Sequence, residues 1–142
     1  MGRNGSQVLV VEDSEEMLWS IANILEKAGF SVDAVTNGKE AILKLNDCHQ
    51  TKVVVINYIL PDMNGVSVIN QMRSNGCKAE VIGISALIDK REVFLKAGAF
   101  AFLDKPFDIR ELVHLCEQAL NRTNAAEGIH KTINKGGESK WQ

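Results

Sequence analysis

The stretch Val53-Val54-Val55-Ile56-Asn57-Tyr58-Ile59-Leu60-Pro61-Asp62-Met63-Asn64-Gly65 decides the fold class. Its apolar run reads as a buried strand, and Pro61 with Asn64-Gly65 turns the chain directly afterwards. Asn57 stands at the strand's end. A carboxylate in that setting could be a nucleophile and a metal ligand; a neutral amide is a poor version of either.

Working outward, short apolar runs alternate with amphipathic segments of helical length, the pattern of an α/β domain with a parallel sheet. Five strands are expected near 7–11, 30–36, 52–57, 80–85 and 100–103, the second polar enough to be an edge. A first helix begins after Ser14, an N-cap with Glu15 and Glu16 in the first turn, and stops at Gly29. Its expected buried face is Met17, Ile21, Leu25 and Ala28. The second helix follows Asn37-Gly38 and buries Ala41, Ile42 and Leu45. The third follows Gly65 and buries Val66, Ile69 and Met72. The fourth covers about 89–97. The fifth follows Pro106, is capped by Asp108, and keeps helical spacing through Ile109, Leu112, Val113, Cys116 and Leu120.

The chain has 142 residues, 45% of them hydrophobic, which suits one globular domain with its own core. The domain is expected over 7–121, after a disordered N-terminus at 1–6 and before a flexible tail or linker start at 122–142. A formal net charge of -2 gives no overall pull toward nucleic acid, so direct nucleic-acid binding by this segment is not expected. No apolar run is long enough to span a bilayer and no export signal is present, which points to a cytoplasmic chain without membrane attachment. Cys48, Cys77 and Cys116 are odd in number and lack a Cys-x-x-Cys pattern, so unpaired, reduced thiols are expected. His49, His114 and His130 lack ligand spacing, which argues against zinc.

Four strands end in polar residues: Glu12-Asp13, Asn57, Ser85 and Lys105-Pro106. In a doubly wound parallel sheet the carboxyl ends of the strands share one edge, where ligands bind at the reversal of strand order. These residues therefore converge on one pocket.

With the acidic pair, the Leu60-Pro61-Asp62-Met63-Asn64-Gly65 turn, Ser85-Ala86 and Lys105-Pro106-Phe107 occurring in this order, the chain resembles a response-regulator receiver domain of two-component signalling over about 7–120. The resemblance implies a flavodoxin-like (βα)5 fold with sheet order 2-1-3-4-5. It also implies a Mg²⁺ site in which Asp13 is the direct ligand, Glu12 acts through water, and residue 57 and the Ile59 carbonyl complete the protein's share. Ser85 and Lys105 would bind phosphoryl oxygens, and the Lys105-Pro106 peptide would be cis. The family's phosphoacceptor is an aspartate where this chain has Asn57, so acyl-phosphate formation should be blocked and Mg²⁺ affinity lowered. From the sequence, the replacement is either engineered or natural.

Ser85 and Phe102 match the family's switch positions, and the apolar Ile59 and Leu87 match positions that tune access to its pocket. Strand alternation puts Phe100 and Phe102 on one side of the sheet. They are then either core packing or an apolar strip for self-association through the face of helix 4, strand 5 and helix 5. The implied partners are a sensor histidine kinase or a phosphotransfer protein. The leading reading is a receiver whose phosphorylation is blocked and which is not an enzyme. The alternative is a natural pseudo-receiver acting by constitutive protein contact. A hydrolase on a similar fold ranks last, since no Asp-x-Asp, Gly-x-Ser-x-Gly or Gly-rich phosphate loop occurs.

Overall fold

The computed structural model describes residues 7–134. The expected disordered segment 1–6 and the distal part of the expected tail, 135–142, lie outside the described residues. In chain order the elements are β1 (Val8–Val11), α1 (Glu15–Lys27), β2 (Val32–Val35), α2 (Gly38–Leu45), β3 (Val53–Asn57), α3 (Gly65–Ser74), β4 (Glu80–Ser85), α4 (Arg91–Lys96), β5 (Ala101–Asp104) and α5 (Ile109–Asn134). The strands form one parallel sheet in the order β2-β1-β3-β4-β5, an α/β flavodoxin-like arrangement. The polar second strand is at one edge.

Strand alternation divides the core into two layers. Leu9, Val11, Val54 and Ile56 pack with Ala41, Leu45, Val68, Ile69, Met72 and Phe94, so α2, α3 and α4 cover one face. Val8, Val10, Val53 and Val55 pack with Leu18, Ile21, Leu25, Leu112 and Cys116, so α1 and α5 cover the other. The central strands β1 and β3 are wholly buried, as expected of near-continuous apolar runs. At Gly83 on β4 any Cβ would lie 2.5 Å from the Phe94 ring, so only glycine lets α4 sit this close.

Three helix starts carry a side-chain cap of the expected kind. Ser14 Oγ accepts from Met17 N at 3.3 Å, Asn37 Oδ1 from Glu40 N at 2.8 Å, and Asn64 Oδ1 from Ser67 N at 2.9 Å. Asp108 Oδ1 accepts from Arg110 N at 2.9 Å at the start of α5. The fourth helix is only six residues long. Asp89 before it has φ 68°, which breaks the helix that 89–97 was expected to form.

Four further expectations are corrected. The buried stripe of α1 is Leu18, Ile21, Ala22 and Leu25, an i, i+3, i+4, i+7 set. Met17 is only half-buried, and Ala28 is an exposed C-cap. Helix α5 continues to Asn134, through much of the expected tail. Apolar periodicity ends near Leu120, but a helix already nucleated by packing propagates until something stops it, and no proline follows.

Phe100 and Phe102 do not share a side. Phe102 is buried against the α2–α4 layer and Phe100 leans on the α1–α5 layer. The strand begins only at Ala101, so alternation does not extend back to Phe100, and no joint apolar strip forms. Finally, Cys48 and Cys77 are joined in a disulfide, with Cα atoms 6.0 Å apart. Their 29-residue separation hides that the connections after α2 and α3 meet below the sheet. Cys116 is free and buried, and burial pushes its thiol up to about 12.

Candidate functional site

At the carboxyl edge of the sheet, β1 delivers Glu12 and Asp13 and β3 delivers Asn57, either side of the point where strand order reverses. Glu12 is 1% exposed, so its carboxylate needs full compensation. Oε1 accepts from Lys105 Nζ at 2.8 Å and Oε2 from the Ser14 backbone N–H at 3.0 Å. Lys105 reaches in from the end of β5, and the Lys105-Pro106 peptide is cis. The Lys105 backbone N–H donates to Ser85 O at 2.8 Å, which ties the end of β5 to the end of β4.

Asn57 is buried. Its Nδ2 donates to the Ile59 carbonyl at 2.9 Å and, at a longer 3.4 Å, to Asp13 Oδ1. Both partners can only accept, which fixes the amide's orientation with the nitrogen toward them. Ser85 is buried too, and its Oγ accepts from Leu87 N at 3.0 Å. Asp13 is exposed, and apolar Ile59, Leu87 and Ile88 stand exposed at the rim. This edge thus brings Glu12 beside Lys105 and Asn57 beside Asp13, with Ser85 joined to Lys105 through its backbone carbonyl.

Phe102 stays apart from them, packed inward with its ring 5.4 Å from that of Phe94 and the Arg91 guanidinium 5.3 Å above it. Phe100, assigned with it to an interface, is instead stacked by Arg122 at 5.0 Å.

As arranged, the donor set does not fit a divalent cation. Among the described residues no group of three or more His, Cys, Asp or Glu side chains could hold a metal ion. Both oxygens of Glu12 are committed, and the Asn57 amide directs N–H groups at two oxygens, Asp13 Oδ1 and Ile59 O, that a cation would need. The amide hydrogens stand where positive charge would otherwise be required.

Asp62 was read only as part of a turn, yet it organises the β3–α3 loop. Its carboxylate accepts from Gly38 N at 2.8 Å and Lys39 N at 2.9 Å, at the start of α2. The Gly38 hydrogen bond, more than any other contact, holds the Asp62 carboxyl below its ordinary value. Free N–H groups at a helix start are the signal that could have predicted such an acceptor, though not which one. Gly65 closes the same loop. A Cβ there would lie 2.5 Å from the Asn57 carbonyl oxygen, and Gly65 N donates to Tyr58 O at 2.7 Å.

A doubly wound sheet with its polar side chains gathered at the topological switch point is the frame of a small α/β module that handles phosphoryl groups or nucleotides at that edge. The chain belongs to the response regulator receiver domain family, whose model matches residues 8–117. It is 32% identical over 123 residues to the chemotaxis protein CheY of Thermotoga maritima, covering 84% of this chain and 98% of that one. The Francisella response regulator 1452 receiver domain superposes with a TM-score of 0.77 at 30% identity, covering 84% of this chain and 99% of that one.

The receiver domain of the sensor histidine kinase PA1611 from Pseudomonas aeruginosa gives a TM-score of 0.73 at 27% identity, covering 82% and 98%; that structure has a magnesium ion coordinated in its active site cleft. Several other curated relatives are longer, and the chain spans 30% to 59% of their length. Receiver domains are phosphoryl-accepting signalling modules that interact with sensor histidine kinases and phosphotransfer proteins. Among the described residues no helix is long and apolar enough to cross a membrane.

Proposed function

We propose that this chain is a receiver whose phosphoacceptor position is Asn57, so that it signals by protein contact without being phosphorylated there. The observation that carries this reading is the buried amide at the end of β3, beside Asp13 and the Glu12–Lys105 pair. Acyl-phosphate formation needs a carboxylate oxygen, and an amide nitrogen with a delocalised lone pair does not supply one. Ser85 and Lys105 keep the residue types that would align a phosphoryl group. Phe102 is the switch position and is held inward. The chain is not an enzyme, acts in the cytoplasm, contacts neither nucleic acid nor membrane directly, and takes a histidine kinase or phosphotransfer protein as partner.

Mg²⁺, as in receivers generally, would be held by Asp13, Glu12 and the Ile59 carbonyl, and only weakly. Asn57 must first turn its oxygen inward and give up its hydrogen bonds to Asp13 and Ile59. Self-association through α4, β5 and α5 would rest on Val93 and Leu95, which are exposed on α4, since Phe102 is buried.

The test is incubation with Mg²⁺ and acetyl phosphate, read by intact mass and peptide mapping on fresh protein. The chain should gain no adduct at residue 57, and Asn57→Asp should gain one labile phosphoryl group. An unmodified but folded Asn57→Asp would overturn this reading. The pseudo-receiver alternative would then stand; the hydrogen bonds that the Asn57 amide donates to Ile59 and Asp13 favour it.

A further inference from the structure

The geometry points to a second reactive site at the opposite edge of the sheet: Cys48 and Cys77 form a thiol–disulfide exchange site, open to a small-molecule disulfide oxidant, that clamps the connections after α2 and α3. Cys48 lies in the segment between α2 and β3, and Cys77 lies between α3 and β4. A cleft of about 300 Å³ runs alongside, with both cysteines on its wall together with His49, Lys52 and Lys78. That cleft gives a reagent access, and the basic side chains favour an attacking thiolate and an anionic thiol reagent. Asp47 also lines it and pairs with His49 at 3.1 Å.

The two halves of the clamp are held differently. Arg73 Nη1 donates to the carbonyls of Cys77 at 3.0 Å and Ala79 at 2.7 Å, so the Cys77 backbone is fixed whatever the state of its sulfur. Asn75 Nδ2 donates to Asn46 Oδ1 at 3.2 Å, a second tie between the same connections. Cleaving the disulfide therefore leaves the two cysteines within reach of each other, the condition for reversible closure. Cys116 is buried in the other core layer and offers no competing partner.

The exchange balances without any other reactant. The thiolate of Cys48, the less buried of the pair, attacks one sulfur of the small disulfide and expels the first thiolate. Cys77, deprotonated in turn, attacks the Cys48 sulfur of the mixed disulfide and expels the second. The chain loses two protons and two electrons, and the reagent takes them up and leaves as two thiols. With Asp62 already tying the other end of α2 to the loop before α3, closure fastens this helix pair covalently at its second end, whereas reduction leaves that end to the Asn46–Asn75 hydrogen bond. Disulfides in a reducing compartment are mostly transient or redox-sensing, so the clamp would make the helix pair responsive to redox poise.

The full chain would be equilibrated across glutathione buffers of graded poise, acid-quenched, alkylated and weighed intact. Two alkylations should disappear together within the glutathione range, mapping to Cys48 and Cys77, and return when the buffer is reversed. Reduction should lower Tm by about 5–10 °C. Cys48→Ser, a change at a half-buried loop position, should keep the fold and lose both the paired transition and the redox-dependent Tm shift.

Thiols that persist across all buffers, or that titrate independently, overturn the proposal. So does a disulfide that survives the most reducing glutathione buffer, which would make it a purely structural bond. None of these readouts depends on residue 57, so the outcome is separate from that of the acetyl phosphate test.

Discussion

The two ends of the sheet are closed by different chemistry. At the carboxyl edge the buried Glu12 carboxylate and Lys105 satisfy each other, and the buried Asn57 amide is held separately by a carbonyl and a second carboxylate. Among the described residues Glu12 is held by Lys105 and the Ser14 N–H, and Asn57 by Ile59 O and Asp13. At the amino edge the ties are redundant: a neutral amide pair, a guanidinium across two carbonyls, and a disulfide. Charge held in a low-dielectric setting stays only while every partner is present. The carboxyl edge is therefore where one substitution should do the most damage, and the amino edge is where loss should be shared.

Lys105→Met tests the first half of that contrast with the largest effect. It leaves the Glu12 carboxylate buried against an apolar side chain, and removing one partner of such a pair costs about 3–5 kcal/mol. Urea unfolding at neutral pH should show that loss. Glu12→Gln made together with Lys105→Met should recover a good part of it. A double variant no better than the single one would mean that the pair's charge is not the issue.

At the amino edge Cys48→Ser should cost less, about 2–3 kcal/mol in non-reducing buffer, because the Asn46–Asn75 and Arg73 contacts persist. A loss as large as that of Lys105→Met would erase the contrast between the edges. Smaller again is Gly65→Ala, back at the carboxyl edge, which pushes a methyl toward the Asn57 carbonyl oxygen. Overpacking of this kind costs about 1–3 kcal/mol. It should also shift the Asn57 side-chain amide resonances, while a surface change such as Ser74→Ala leaves them in place.

The same contrast explains what the sequence could tell. Glu12, Asn57, Ser85 and Lys105 were legible because each ends a strand, and parallel topology alone brings strand ends together. The α/β class with a parallel sheet was legible from apolar runs alternating with helical segments, whereas the strand order came only with the family resemblance. Features made by contact between connections were not. The Cys48–Cys77 pair and the Asp62 clasp each join segments more than twenty residues apart with no periodic pattern to announce them. Phe100 was misplaced because the strand begins only at Ala101, one residue later than expected, so strand alternation does not reach back to it. Helix α5 ran on because periodicity reports burial, not helicity.

Asp62 provides the smallest effect and the finest test, since it acts at the carboxyl edge through an exposed side chain. Its carboxyl is held below the ordinary value chiefly by the Gly38 N–H, with the Lys39 N–H contributing. A group whose folded value is depressed adds stability that is fully present above its unfolded value, and that stability is lost as pH falls through the folded one. Its contribution should thus be constant through neutral pH and fade only in the acid range, below about pH 4.

Asp108, held low by Arg110, fades in the same window, so the wild-type curve alone is ambiguous. Subtracting the curve of Asp62→Asn isolates the clasp. The wild type should be the more stable of the two at pH 7, and the gap should narrow steadily as the solution is acidified below about pH 4. A gap that stays constant to the lowest pH would show that the Asp62 charge contributes nothing, and that the loop is held by the geometry of Gly65 and its neighbours alone.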